Sequence, residues 1–234
     1  MKPDIIAFDA DDTLWHSEFL YRDAQSELNK ILSPWADSET IEQVTYEIET
    51  RNIPLYGYGI KSFTLSMLEA AVEISNSKVD GNHVTEILAL GRAMLKAEVE
   101  LRPHVADTLE TLSKSYRLMV ITKGDLLDQT DKVERSGLAP YFSMVEVVNE
   151  KNTATYREIL SRYKLSAQGF LMVGNSISSD VLPVLELGGI AVHVPADTTW
   201  AFEMVEGFNP DQPGCYELEH IGQLPALIER VFNA

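Results

Sequence analysis

Short apolar runs that end in polar loops alternate with helical patterns along most of the chain. The first run, Ile5–Phe8, is continuously apolar and leads into polar residues that begin at Asp9, which is typical of a buried parallel strand. Similar runs lie at 118–121, 145–148, 170–173 and 190–194. Because strands that alternate with helices at this spacing form βαβ units, the pattern predicts an α/β fold with a mainly parallel sheet.

The region between the first two predicted strands has a different pattern. From about residue 17 to residue 99 the apolar positions recur at helical spacing, and no convincing strand is present. Asp37 is a candidate cap for a helix that runs to about Thr50, after which Pro54, Gly57 and Gly59 interrupt the helical pattern. We therefore predict an α/β core made of residues 1–16 and 100–234, with residues 17–99 inserted as an all-helical domain.

Composition and charge limit the classes of molecule that the protein is expected to bind. The chain has 19 Lys and Arg against 36 Asp and Glu, a formal net charge of −17. An acidic chain without a visible basic patch is repelled by phosphate backbones, so we predict no nucleic acid and no membrane as a partner. The single Cys215 and an N-terminal apolar run too short for a signal peptide predict a reduced, cytoplasmic protein. The sequence does not decide between a monomer and a homodimer.

Polar side chains directly follow four of the predicted strands. Ligands of open parallel sheets bind beyond the carboxyl ends of the strands, so these side chains are expected to converge on one crevice. The four groups are Asp9, Asp11, Asp12 and Thr13; Thr122, Lys123 and Asp125; Asn149, Glu150 and Lys151; and, after Gly174, Asn175, Ser176, Ser178, Ser179 and Asp180.

This combination of carboxylates, lysines and a hydroxyl suits phosphoryl transfer. Carboxylates a few ångströms apart repel by ~4 kcal/mol per pair at an effective dielectric of 20, and a magnesium ion with carboxylate and substrate phosphate ligands relieves that repulsion. Lysines at the strand ends and the Thr122 hydroxyl would bind the anion. A carboxylate beside such an anion indicates transfer through an aspartyl-phosphate. A second Asp two residues later could protonate the leaving oxygen and then activate water.

Four motifs in this order resemble those of the haloacid dehalogenase-like hydrolase superfamily. The run Phe8-Asp9-Ala10-Asp11-Asp12-Thr13 is similar to the first motif, DxDx[TV]. Thr122 resembles the second motif and Lys151 the third, while the segment from Gly174 to Asp180 resembles the acidic fourth motif. The resemblance implies a Rossmann-like core, a mainly parallel sheet with helices on both faces, and a helical cap inserted between the first two motifs.

The resemblance also implies a role for each matching residue. Asp9 would be the nucleophile and a metal ligand, and Asp11 the general acid/base with its backbone carbonyl on the metal. Thr122 would hold the phosphoryl oxygens, Lys151 would neutralise the phosphoryl group and the nucleophile, and Lys123 is a further candidate for substrate contact. Asn175 and Asp180 would complete the Mg²⁺ site.

Two positions depart from the family pattern. The residue after the fourth-motif glycine is usually Asp but is Asn175 here, so one charge is missing from the predicted metal site. The third motif usually reads Lys-Pro but is Lys151-Asn152 here, and Asn152 can cap the following helix instead. Dehalogenating members lack the second Asp of the first motif, so Asp11 favours a phosphatase.

The sequence therefore predicts a magnesium-dependent phosphatase that acts on a small phosphorylated metabolite. Three alternatives share the predicted core: a phosphomutase, an enzyme that cleaves C–P bonds, and a non-catalytic protein that binds a phosphorylated ligand. Phosphonate cleavage needs a lysine in the cap to form an imine, for which Lys61 is the obvious candidate. The non-catalytic alternative is motivated by Asn175.

Overall fold

The computed structural model describes residues 3–196, 205 and 207–232. Trp200 and Phe202, which the sequence predicts to be packing aromatics, lie outside these residues. The chain forms two compact units. The first comprises residues 1–18, 99–123 and 129–234, and the second comprises residues 19–98 and 124–128.

A six-stranded parallel sheet forms the centre of the first unit. Its strands are β1 (Ile5–Phe8), β2 (Arg117–Lys123), β3 (Met144–Val148), β4 (Phe170–Gly174), β5 (Ile190–His193) and β6 (Cys215–Glu217), in the spatial order β3-β2-β1-β4-β5-β6. Every neighbouring pair is parallel, and Ile5 lies beside Arg117 on one side and Phe170 on the other. The predicted α/β fold with a mainly parallel sheet is confirmed.

Both faces of the sheet are covered by helices. The helices of this unit are α5 (Val105–Ser113), α7 (Thr153–Tyr163), α8 (Leu182–Glu186), α9 (Leu224–Phe232) and most of α6 (Leu126–Arg135). One face of β1, with Ile6 and Phe8, packs with α5, α9 and the end of α6. The opposite face, with Ile5 and Ala7, packs with α7 and α8. Successive strand residues point to opposite faces, so a strand buried on both sides must be continuously apolar, as Ile5–Phe8 is.

The second unit is helical. It contains α1 (Glu18–Leu32), α2 (Ser38–Tyr56), α3 (Ile60–Ile74) and α4 (Gly81–Lys96). These helices enclose a separate apolar core that includes Leu28, Ile41, Phe63 and Met67. In the described part of the chain, none of the helices has the length and apolarity needed to cross a bilayer.

The prediction that α2 stops near Thr50 is wrong, because the helix continues through Pro54 to Tyr56. Pro54 lies in the last turn, where a missing N–H costs a single intrahelical hydrogen bond. The turn is held by the Gly57 N–H, which donates to the Ile53 carbonyl at 2.8 Å. It is also held by the buried Asn52, whose side chain donates to Glu69 at 2.8 Å. Tertiary packing thus outweighs the local signal of the proline.

Candidate active site

The predicted site residues lie together in the first unit. They come from the carboxyl ends of β1, β2 and β4, and Lys151 comes from the loop after β3. Parallel strands present these ends at one edge of the sheet, and β1 lies between β2 and β4. Residues from distant parts of the sequence therefore meet beside Asp9.

Lys151 forms the centre of the site, because its ammonium group contacts two carboxylates. It donates to Asp9 Oδ1 in a short contact and to Asp180 Oδ1 at 2.8 Å. The Lys151 and Asp180 side chains are almost completely buried, and the Asp9 side chain is 10% exposed. Burial disfavours the charged form of Lys151, but the charges of Asp180 and Asp9 outweigh it and raise the pKa of this lysine above its ordinary value.

Asp180 is held in a fixed position behind this lysine. Its second oxygen, Oδ2, accepts a hydrogen bond from the Ser176 N–H at 3.0 Å. The backbone between these two residues forms a wide turn that leads into α8. Gly174 leaves the space for the carboxylate, since a Cβ at this position would lie 2.1 Å from Asp180 Oδ2.

Asn175 is connected to the first motif through a threonine hydroxyl. Thr13 Oγ1 lies 2.9 Å from Asp9 Oδ2 and 3.0 Å from Asn175 Oδ1. The backbone carbonyl of Asn175 contacts Nε2 of His193 at 3.1 Å, and Nδ1 of the same ring contacts Glu217 at 2.9 Å. Asn175 is thus fixed through both its side chain and its backbone.

Asp11 has different partners from Asp9. Its Oδ1 accepts from Trp15 Nε1 at 2.7 Å and from Lys132 Nζ at 3.0 Å, and its Oδ2 accepts from Gln129 Nε2 at 2.8 Å. Burial alone would raise the pKa of Asp11, but the charge of Lys132 and the hydrogen bonds from Gln129 and Trp15 lower it below its ordinary value. The two acids of the first motif therefore lie in separate environments.

Thr122 and Lys123, the last two residues of β2, contact the other motifs. The buried Thr122 hydroxyl donates to Gln129 Oε1 at 3.2 Å, and the Gln129 amide in turn reaches Asp11. Lys123 Nζ donates to the Ser179 hydroxyl in the fourth motif at 3.0 Å. The second motif is thereby linked to both the first and the fourth.

The structure thus groups the predicted residues into three sets. Lys151 joins Asp9 and Asp180, Thr13 joins Asp9 and Asn175, and Gln129 joins Thr122 and Asp11, while Lys123 contacts Ser179. Sequence reasoning missed Trp15, Gln129, Lys132, His193 and Glu217.

A signal for two of the missed residues was present in α6. Gln129, Lys132 and Val133 are spaced i, i+3 and i+4 and therefore share one helix face. That face is buried, whereas the apolar Leu126 and Leu127 at the start of the helix are exposed. Because Val133 is apolar and marks this face as buried, the polar Gln129 and Lys132 on the same face were a signal of buried polar contacts.

Lys61, the candidate imine-forming lysine, lies in the second unit. It is half-exposed and donates to Asp125 Oδ1 at 2.8 Å, so this lysine already has a charged partner within its own unit. This arrangement does not favour phosphonate cleavage.

The chemistry of the donor atoms around Asp9 fits a hard divalent cation. Asp9 Oδ2 and Asn175 Oδ1 are oxygens that approach the same hydroxyl, and oxygen ligands are those that Mg²⁺ prefers. Within the described residues, no group of three or more His, Cys, Asp or Glu side chains is arranged to hold a metal. The Asn175 amide oxygen is a further donor of the kind that Mg²⁺ prefers, and it lies beside Asp9.

Comparisons with known proteins agree with the motifs. The sequence matches the haloacid dehalogenase-like hydrolase family over residues 3–188. A haloacid dehalogenase-like family hydrolase from Xanthomonas campestris superposes with a TM-score of 0.88 at 36% identity, over 97% of this chain and 91% of that chain.

Two archaeal relatives are named glyceraldehyde 3-phosphate phosphatase. The protein from Methanocaldococcus jannaschii is 26% identical over 81% of this chain and 83% of its own length. The protein from Methanothermobacter thermautotrophicus is 35% identical, but that match spans 42% of this chain and only 46% of the relative. The family match covers most of the sequence, so the predicted family is confirmed: the chain belongs to the haloacid dehalogenase-like hydrolases.

Proposed function

We propose that this hydrolase is a magnesium-dependent phosphatase that removes the phosphoryl group from a small phosphorylated metabolite. The observation that carries the proposal is the environment of Asp9. One of its oxygens contacts the ammonium group of Lys151 and the other contacts the Thr13 hydroxyl. A buried carboxylate beside a buried cation is suited to act as a nucleophile towards an anionic substrate, because the lysine offsets the charge of both.

In the proposed first step, Asp9 attacks phosphorus and forms an aspartyl-phosphate. The bond between phosphorus and the ester oxygen breaks, and the departing alkoxide takes a proton from Asp11, whose carboxylate takes up that proton from solvent when the anionic phosphate binds beside it. Lys151 offsets the negative charge on the transferred group, and Thr122 and Lys123 bind its oxygens. In the second step Asp11 removes a proton from water, which attacks phosphorus, and inorganic phosphate leaves as Asp9 is regenerated.

The metal in this proposal would be held by Asp9, the backbone carbonyl of Asp11 and Asn175, with Asp180 supporting the site. When bound, Mg²⁺ offsets phosphate charge and helps to orient the phosphoryl group. Both oxygens of Asp180 accept hydrogen bonds from nitrogen donors, one from Lys151 and one from the Ser176 N–H. These contacts support a role for Asp180 in holding Lys151 beside Asp9.

The names of the two archaeal relatives support a small phosphomonoester as the substrate. Glyceraldehyde 3-phosphate therefore belongs in the first panel of test substrates, beside other three- to six-carbon phosphates. Asp11 supports a phosphatase over a dehalogenase, because hydrolysis of an alkyl phosphate benefits from a general acid.

The test is phosphate release from this panel, with Mg²⁺ and with a chelator, for the wild type, Asp9→Asn and Asp12→Asn. Asp12 is a matched control in the same loop, since its carboxylate accepts from the Ser17 and Glu18 N–H groups at the start of α1. We expect release that depends on the metal, is lost in Asp9→Asn and persists in Asp12→Asn. Turnover that survives in Asp9→Asn would exclude Asp9 as the nucleophile, and a well-folded wild type that releases nothing would favour the non-catalytic alternative.

The metal site is tested separately by calorimetric titration of Mg²⁺ into Asn175→Asp. Adding a carboxylate to a donor set that holds an amide should tighten Mg²⁺ binding. Asn152→Asp is the matched control, because Asn152 caps α7 through the Thr155 N–H and Asp is an equally good cap. Unchanged affinity in Asn175→Asp would argue that position 175 is not a ligand.

A further inference from the structure

Three buried donors hold the carboxylate of Asp11, and the family motifs assign a role to none of them. We call Trp15, Gln129 and Lys132 the Asp11 clamp. Together they place a ring N–H, an amide N–H and an ammonium group within 3.0 Å of the two carboxylate oxygens. All three residues are at most 5% exposed.

Burying these groups is costly unless each has a specific partner. A buried ammonium group must be paired with an opposite charge, and a buried amide must be hydrogen-bonded. Lys132 and Gln129 lie one turn apart on α6, and both turn towards Asp11. The same helix leaves Leu126 and Leu127 exposed. A helix that buries its polar side chains and exposes apolar ones gives up stability, which is typical of a functional site.

The orientation of the Gln129 amide follows from its two contacts. In the absence of substrate its nitrogen faces Asp11, because the Asp11 carboxylate is then ionised and can only accept hydrogen bonds. Its oxygen then faces the hydroxyl of Thr122, which donates to it at 3.2 Å. Gln129 therefore connects the residue predicted to bind the phosphoryl oxygens with the acid predicted to protonate the leaving group.

We propose that Lys132 and Gln129 are positioning residues that hold the Asp11 carboxyl in the orientation needed for proton transfer to the leaving oxygen. This inference rests on the proposed phosphatase function. Lys132 and Gln129 act through Asp11 and do not touch the substrate. Removing Lys132 takes a donor from Asp11, whereas removing Gln129 also takes away the acceptor of the Thr122 hydroxyl, so Lys132 is the residue to replace.

The test compares two esters that differ in their need for a general acid. p-Nitrophenyl phosphate has a good leaving group that departs without a proton, whereas an alkyl phosphate needs one. The quantity to compare is kcat/KM, because it reports the steps up to departure of the leaving group and excludes hydrolysis of the aspartyl-phosphate. General acid–base catalysis contributes ~10²–10⁴-fold, so loss of its positioning should cost about 10- to 100-fold on the alkyl ester.

For Lys132→Met we expect this loss on the alkyl ester and a loss of less than about threefold on p-nitrophenyl phosphate. Lys132→Arg, which keeps the charge, should restore part of the alkyl-ester activity. Arg135→Met is the matched control on α6, since Arg135 pairs with Asp131 on the surface. It should leave both esters unchanged.

A second comparison covers the case in which Lys132→Met folds poorly. In an Asp11→Asn background no carboxylate charge is left unpaired, and Lys132→Met should not change the ratio of the two kcat/KM values any further. An equal loss on both esters, or a further fall of the ratio in the double variant, would overturn the positioning role. A wild type that hydrolyses neither ester would overturn the phosphatase proposal itself and the positioning role with it.

Discussion

Replacing Lys151 by Met should destabilise the first unit strongly, because it leaves two buried carboxylates without their shared cation. The Lys151 side chain is 1% exposed and contacts both Asp9 and Asp180. Methionine is unbranched and only one heavy atom shorter than lysine, so the change removes the charge and creates little empty space. The experiment therefore measures the electrostatic contribution of one ammonium group.

The expected size of the effect follows from general values for buried ion pairs. Removing one partner of a buried pair costs about 3–5 kcal/mol, mainly because the other charge is left uncompensated. Two charges 4 Å apart at an effective dielectric of 20 interact by about 4 kcal/mol, which agrees with that range. For a chain of this size each kcal/mol lowers Tm by about 2–4 °C, so we expect a fall of roughly 6–20 °C.

The assay is thermal and urea unfolding of the wild type, Lys151→Met and Lys114→Met at neutral pH with a chelator present. Lys114 is the matched control because it pairs with Glu110 on the surface, where an ion pair contributes about 0.3–0.5 kcal/mol. The cost of Lys151→Met should also shrink in an Asp180→Asn background, where a single carboxylate remains. A cost no larger than that of the control, or one that is unchanged in the Asp180→Asn background, would refute the reasoning.

Two further predictions concern a glycine and a titrating acid. Gly174→Ala should lower both the free energy of unfolding and the turnover rate, because its Cβ would lie 2.1 Å from Asp180 Oδ2. Gly81→Ala is the control, because a Cβ at that position meets nothing within 4 Å. In urea unfolding it should stabilise the protein by about 0.4–1 kcal/mol. A stable, active Gly174→Ala would contradict the assigned packing. Burial raises the pKa of Glu49 from its ordinary value of 4.5 to about 7. The folded state then binds the extra proton, so the contribution of Glu49 to stability should be present below pH 4.5 and lost as pH rises through about 7. Urea unfolding of the wild type should show a fall in stability between pH 4.5 and about 7, and this fall should be absent in Glu49→Gln. An unchanged pH profile in Glu49→Gln would exclude Glu49 as the source of the fall.

The central strands β1, β2 and β4 were predictable because each is an apolar run that is buried on both faces. Ile5–Phe8 was predicted to the residue, and the runs that became β2 to β5 were found with small errors at their ends. The Asn152 cap of α7 was also predictable, because a helix cap depends on residues that are neighbours in sequence. Strand β6 was missed because Cys215–Glu217 has three residues and only one of them is buried, which leaves no pattern to read.

The loops that form the candidate site were predictable, but most of the hydrogen bonds and ion pairs between its side chains were not. Polar residues at the ends of parallel strands must lie at one edge, and this rule alone collected Asp9, Thr122 and Asn175. Which side chains pair within the site depends on packing between residues far apart in sequence. Lys132 and Asp11 are separated by 121 positions, and no local spacing connects them. The ring of His193, which the sequence did not link to the site, contacts Asn175 for the same reason.

The pairing of each acid with its own lysine explains how two carboxylates two residues apart can have different tasks. Asp9 contacts Lys151, and Asp11 contacts Lys132. Carboxylates that share one site compete for a single proton, whereas separate cations allow the environment of each acid to be set independently. In a chain with a net charge of −17, both lysines are buried beside the acids of the first motif. Exchanging Lys132 for a neutral residue should therefore impair proton transfer to the leaving group more than attack by Asp9, and the two-ester comparison of Lys132→Met measures that difference directly.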